Sequence, residues 1–312
     1  MSDDDLWFLP GPLDEPQTPL MDARDWRAAQ SALAADLARA AMAVGRLDEL
    51  IAQMGAGAAR RLALQQVESF LWAAGTPLRR EEIGRDLMDA RADADMAVMG
   101  LARWSLRRLE GAGDPADLRG FLALHRAQDP VGVSPRPVGV VFDETAAAFA
   151  AMLNDARALH PLALGAFAAQ AWRLSGLSPD DDVAEGATLT ARLMARDCVA
   201  LPFVPVARAG LRLGGGAADR LRDHLHAVQA AATAARHDLM RLRDWAARPV
   251  RGNAARIIAA LLAHPIATTQ MVEQAAGVSR DTAERHLARL AADGHVRELT
   301  GNSRFRLWAA AV

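Results

Sequence analysis

The sequence contains no lysine and no tyrosine, and it has one cysteine, Cys198, in 312 residues. A single thiol excludes an internal disulfide and any zinc site built on several cysteines, and it fits a reducing, cytoplasmic setting. Aromatic residues make up 5% of the chain although hydrophobic residues reach 51%. Apolar content is therefore carried by alanine, leucine and valine, which favours packed helices over a β-sandwich. All 36 basic residues are arginine, a bias that fits GC-rich codon usage better than any physical demand. The formal net charge is −2, so any nucleic-acid contact must be local. No leader-like segment and no apolar run of membrane-spanning length is present, so no membrane partner is expected. Missing as well are G-x-S-x-G, H-E-x-x-H and a glycine fingerprint behind a strand. These absences predict a protein with no enzymatic activity, cofactor or metal of its own.

What is present is clearest near the C-terminal end. Thr268 or Thr269 can cap a short helix running to about Ala276. Gly277 supplies a sharp turn and Val278 an apolar plug. Ser279 has the place of an N-cap for a second helix to about Ala292. On it Ala283, Leu287 and Leu290 fall on one face, leaving Arg280, Arg285, His286 and Arg289 pointing away. Gly294 ends the helix. Two extended runs, His295–Leu299 and Arg304–Trp308, joined at Gly301-Asn302, predict a hairpin whose second strand alternates Arg304 and Arg306 with Phe305 and Leu307. Together these parts predict a winged helix-turn-helix. One departure concerns the corner, where Glu273 stands four before the turn glycine in place of a small residue.

The pattern implies double-stranded DNA as partner. A rigid apolar corner would present the second helix to a major groove while the hairpin reaches phosphates. Residues 251–312 carry eight arginines against five acids, a net +3. Arg285 and Arg289 are the expected base or phosphate contacts, with Arg280 and His286 beside them. Ser279 and Thr282 are expected at phosphates, and Arg304 and Arg306 at the backbone.

Ahead of this domain (251–312) lie an acidic, proline-rich tail (1–20) and an all-helical body (21–250). In the tail, Trp7-Phe8 reads as an anchor or docking segment. The body opens with one helix from Asp22 to about Met54, with Gly45 a candidate kink. Further helices are expected to Ala74, and over Arg79–Met88, Asp93–Leu109 and Ala116–Arg126. Residues 128–142 read as a loop in which Val138–Phe142 can form a short strand. Helices resume over Asp143–Ala158, Pro161–Leu174 and Gly186–Ala200. Asp180–Asp182 read as a solvated helix start rather than a metal site. A long helix, Ala217–Ala247, carries Leu221, Leu225, Val228, Ala232, Ala235, Leu239 and Leu242 as one seam, first of all a core face; because it leads into the C-terminal domain, this helix is also the best candidate for a homodimer contact or a rigid spacer. His224 and His226, two apart, do not share a helical face. Asn253–Ala263 is expected to be the first helix of the winged domain.

The body, with Gly45-Arg46-Leu47-Asp48 early, a central helix pair and a terminal winged helix, resembles Fic-domain proteins. It is still more similar to uncharacterised bacterial, often plasmid-borne proteins joining an all-helical body to a helix-turn-helix. The Fic motif H-P-F-x-D/E-G-N-G-R, then x-x-R-L, places on Asp181 to Leu193. Glu185, Gly186, Arg192 and Leu193 fit. The histidine, which deprotonates the attacking hydroxyl in Fic enzymes, falls on Asp181; the phosphate-contacting asparagine falls on Ala187 and the first arginine on Leu189. The resemblance thus implies a degenerate Fic-like body. His160-Pro161 reads as a helix start, and Cys198 as an inert thiol. The expectation is a mainly α bacterial transcriptional regulator with the body as dimerisation or sensor unit. The alternatives are a protein-interaction adaptor and a Fic-like nucleotidyl transferase with a relocated site.

Overall fold

The structure, a computed structural model, describes residues 21–89, 95–124, 136–179, 183–207, 215–301 and 306–312. The expectations for Trp7-Phe8, Asp180–Asp182, Arg304 and the Asn302 end of the hairpin turn lie outside the described residues. Thirteen helices and one three-stranded sheet are found among those described.

The chain opens with α1 (Ala23–Ala32) and α2 (Ala34–Met54). The expected single helix is therefore broken, at Leu33 (φ −105°, ψ 25°) rather than at Gly45. The break lets α1 and α2 both pack on one later helix, with Trp26 and Ala29 on α1, and Ala40, Val44, Leu47 and Ile51 on α2, all buried. Next come α3 (Ala56–Ala73), α4 (Arg80–Leu87), α5 (Met96–Leu109) and α6 (Leu118–Leu122). The last is much shorter than expected because the chain turns at Ala123, which has a φ of 61°.

Helix α7 (Gly139–Asp155) occupies the place of the expected strand Val138–Phe142. The correction has a physical basis. Phe142 and Phe149 are seven apart and both buried, as on one helical face, while Val140 and Val141 stay exposed. A strand there would also need hydrogen-bonding neighbours, and the described sheet is confined to the C-terminal domain.

Helix α8 (Pro161–Ser175) starts at His160, whose Nδ1 accepts from the Leu162 amide. Helix α9 (Val183–Met194) begins earlier and ends earlier than the expected 186–200. At its end the Ala191 carbonyl takes the Val204 amide at 2.9 Å, and beyond it the Asp48 carboxylate on α2 accepts from the amides of Val199, Ala200 and Leu201 at 2.9, 2.8 and 2.7 Å. Those amides are thereby held out of a continuing helix.

Helix α10 (Ala217–Ala246) is the spine. All seven seam residues are buried, covered by α1, α2 and α8 of the same chain. The seam is thus a core face, as expected, and any dimer contact through α10 would have to use its other side. His224 on the buried side lies 3.2 Å from the Met194 sulfur, whereas His226 is exposed near Asp36. The C-terminal region follows as α11 (Asn253–Ala263), β1 (Ala267–Thr268), α12 (Thr269–Ala276), α13 (Arg280–Ala292), β2 (Val296–Glu298) and β3 (Leu307–Ala310). The strand order is β1-β3-β2, with both pairings antiparallel. One apolar core runs without interruption from α1 into this region.

Candidate nucleic-acid interface

The corner between α12 and α13 is built by short-range hydrogen bonds. Thr268 caps α12, its hydroxyl accepting from the Met271 amide at 3.1 Å. Thr269 is instead buried and takes a hydrogen bond from the Trp308 indole. Gly277 adopts φ 58°, ψ 46°, the left-handed conformation that a glycine takes without Cβ strain. The Val278 amide returns to the Glu273 carbonyl at 3.2 Å, so the corner closes with Glu273 in place. From α11, Arg256 donates to the Gly277 carbonyl and ties the turn to the first helix.

Helix α13 begins at Ser279, whose hydroxyl accepts from the Thr282 amide and donates to the Thr282 hydroxyl. Both side chains expected at phosphates are therefore already engaged with each other. Ala283, Leu287 and Leu290 are buried as expected. At 100° per residue, Arg285 points almost directly away from that face, with Arg289 about 40° to one side. Arg285 and Arg289 are exposed, and among the described residues neither is paired with a carboxylate. Arg280 differs: it pairs with Glu284 at 3.2 Å. His286 is half-buried at the edge of the packed face. The positive charge of α13 without a carboxylate partner among the described residues thus sits in its second and third turns, while its first turn carries Asp281.

The first strand of the hairpin falls within the expected run, and the second starts three residues later than expected. Residues 307–310 make β3, so Arg306 precedes the strand and is exposed, and the expected arginine-aromatic alternation does not continue along it. Two contacts set this register. Glu298 accepts from the Thr300 hydroxyl and amide and from the Gly301 amide, shaping the turn. On its other edge β3 is paired by β1, whose two residues carry no readable period. β3 is the central strand, which explains why Leu307, Trp308 and Ala309 are all buried. Burial pushes the Glu298 carboxyl up, but the Thr300 and Gly301 hydrogen bonds and the Arg306 charge outweigh it and leave the pKa below the usual glutamate value.

The winged region is docked on the body. Gly57 of α3 abuts the Ala263 carbonyl and Gly84 of α4 abuts the Ile266 side chain. Arg85 donates to the Leu299 carbonyl, and the Trp245 indole to the His295 carbonyl at 2.7 Å. Arg297, one of the eight arginines in the local charge count, pairs with Glu81 of the body at 3.3 Å, its side chain remaining exposed. Sequence reasoning missed this pairing because nothing local in either stretch signals it.

The described positions aligned with the Fic motif lie along α9. Glu185 lies inside α9, buried, bound by Arg136 at 2.8 Å and by the Ser178 hydroxyl, which in turn takes the Trp172 indole. Ala187 and Leu189 are buried core residues. Arg192 donates to the Arg108 carbonyl. Cys198 is half-buried; burial, then Asp48 and Asp197, push its thiol up to about 11. No cluster of described residues could hold a metal, and no described helix is long and apolar enough to cross a membrane.

Residues 255–310 match a family model described as an HTH DNA-binding domain. That is the same stretch as α11 through β3, so the chain carries such a domain at its C-terminal end. No curated protein matches the chain. Among solved structures, a Fic family protein from Desulfovibrio desulfuricans G20 is similar at 15% identity and a TM-score of 0.41, over 87% of this chain and 95% of that one. Similarity at that level puts no residues of the two chains in functional correspondence.

Proposed function

We propose that this protein binds double-stranded DNA through α13 and the wing and acts as a transcriptional regulator, with the helical body setting the position of the winged domain. The observation that carries the reading is the exposed pair Arg285 and Arg289. Both lack a carboxylate partner among the described residues, on the outer face of the second helix of a matched DNA-binding domain. Arg285 is placed to meet base edges or phosphates; Arg289, Arg306 and Arg304 supply charge to the backbone.

The body has no catalytic part in this reading. Its support is that the aligned motif positions are core residues or a closed network, and that an acid, Asp181, stands where the resemblance would need a histidine. The apolar seam of α10 is covered by the chain itself. A two-fold DNA site would therefore require pairing through a different surface.

Fluorescence anisotropy with random-sequence duplex DNA, titrated across salt, tests the proposal. The expected result is binding that weakens steeply with salt and falls at least tenfold in the Arg285→Ala/Arg289→Ala double variant. No binding at low salt by the folded wild type would transfer the function to a protein partner.

A further inference from the structure

The DNA-binding reading leaves one feature unused, a cleft between the body and the winged domain. Its body side holds Arg61 on α3, Arg80 and Glu81 on α4, and Asp238 and Arg241 on α10; its wing side holds Arg297 on β2. It measures about 770 Å³ with its open mouth included. Four guanidiniums there face two side-chain carboxylates, both of them taken, and the main-chain carboxylate of Val312 lies at the same cleft. Glu81 is shared by Arg297 at 3.3 Å and Arg80 at 3.7 Å. Asp238 is held by Arg241 and by the Gln65 amide, each at 3.0 Å.

Arg61 is left without a carboxylate among the described residues. Its Nη2 donates to the carbonyls of Leu261 and His264, where α11 ends. Its Nη1 is buried and has no hydrogen-bond partner. Burial, then the Arg80 charge, pushes the Arg61 pKa down to about 10, so the group is still protonated at neutral pH. Capping α11 accounts for Nη2 alone. A buried guanidinium nitrogen with no acceptor has lost its hydration without replacement, and a cleft with surplus arginine around it is where an acceptor would come from.

We propose that this cleft binds a small molecule bearing an oxyanion, a carboxylate or a phosphate, with the anionic group on Arg61 and flanked by Arg80 and Arg297. The guanidinium fork suits either group, since both present paired oxygens at matching spacing. The ligand would touch α3, α4, α10 and β2 together, and so would hold the winged domain at one setting against the body. A resulting change in DNA affinity rests on the DNA-binding reading; the binding itself does not.

Isothermal titration of the full chain with inorganic phosphate and, separately, with succinate, at ionic strength fixed by sodium chloride, tests it without DNA present. One saturable site is expected for at least one probe, and which probe binds tells phosphate chemistry from carboxylate chemistry. Affinity should fall about tenfold or more in Arg61→Gln, the effect of losing a charge-assisted contact. Circular dichroism checks that this variant folds. If it does not, Arg80→Gln, which leaves α11 untouched, decides, with a fall of about threefold expected for a flanking charge. No saturable heat with either probe overturns the proposal, and so does unchanged affinity in the folded Arg61→Gln variant. Saturable binding by a chain that fails to bind DNA would sink the DNA reading and leave the cleft standing.

Discussion

Single side chains divide here into those that hold the corner and those that face outward. Ser279 belongs to the first kind. Its loss as Ser279→Ala should cost about 1 kcal/mol in a urea melt, the usual value of an N-cap. Arg285→Ala belongs to the second and should change stability by no more than about 0.5 kcal/mol while weakening DNA binding. His160 adds a pH effect. Burial holds its pKa below the ordinary imidazole value of 6.5, followed by the opposed effects of Asp197 and Arg196, and its Nδ1 accepts from the Leu162 amide. The folded state therefore prefers the neutral ring. Its contribution is fully present above pH 6.5 and is lost as pH falls below that value toward the depressed folded pKa. Urea midpoints at pH 7.5 and 5.5 check this. His160→Asn keeps an acceptor for the helix start and cannot titrate, so the drop between the two pH values should shrink. An equal drop in both proteins would assign the pH dependence elsewhere.

At the scale of elements, two glycines with the same chemistry have opposite expectations. Gly57 meets backbone of the next domain, so Gly57→Val forces α3 and α11 apart and should destabilise by about 1–3 kcal/mol. Gly45 lies mid-helix with nothing within 4 Å of an added Cβ, and Gly45→Ala should stabilise by about 0.5–1 kcal/mol. Thermal melts separate the two directly, and a loss at Gly45 would show that the helix needs its glycine. The elements also show where periodicity is a good guide. The α10 seam and the α13 core face were legible because each repeats at helical spacing over several turns. The end of α9 was not, because it is met by the Val204 amide and followed by contacts to Asp48, more than 150 residues away in sequence. Strand β1 was missed for a related reason: two residues have no period, and only β3 beside them makes them a strand.

For the molecule as a whole, net charge and local charge pull apart. A chain at −2 has no general attraction for DNA, so its affinity should come from a few arginines. The slope of log K against log salt should then be shallow and should lose about 2 in the Arg285→Ala/Arg289→Ala double variant, near one per phosphate contact. A slope unchanged by the double variant would mean that DNA lies against another face. The winged domain does not act as a free module here, since one continuous core and the Arg61, Arg85 and Trp245 contacts bind it to the body. That docking also sets the exposed Arg297 against the Glu81 carboxylate, which offsets its charge.

The sequence by itself determined the helical class, the winged helix-turn-helix, its Ser279 cap and the face that α13 turns outward. Each of these is set within a few residues, by propensity, capping chemistry or helical period. Tertiary structure alone decided that the α10 seam closes on α1, α2 and α8, that Glu185 is buried against Arg136, that β3 is a central strand, and that an arginine-lined cleft opens beside the wing. Those outcomes depend on which distant segments meet. A pattern read along one chain states that a face is apolar or charged, but not what comes to lie against it.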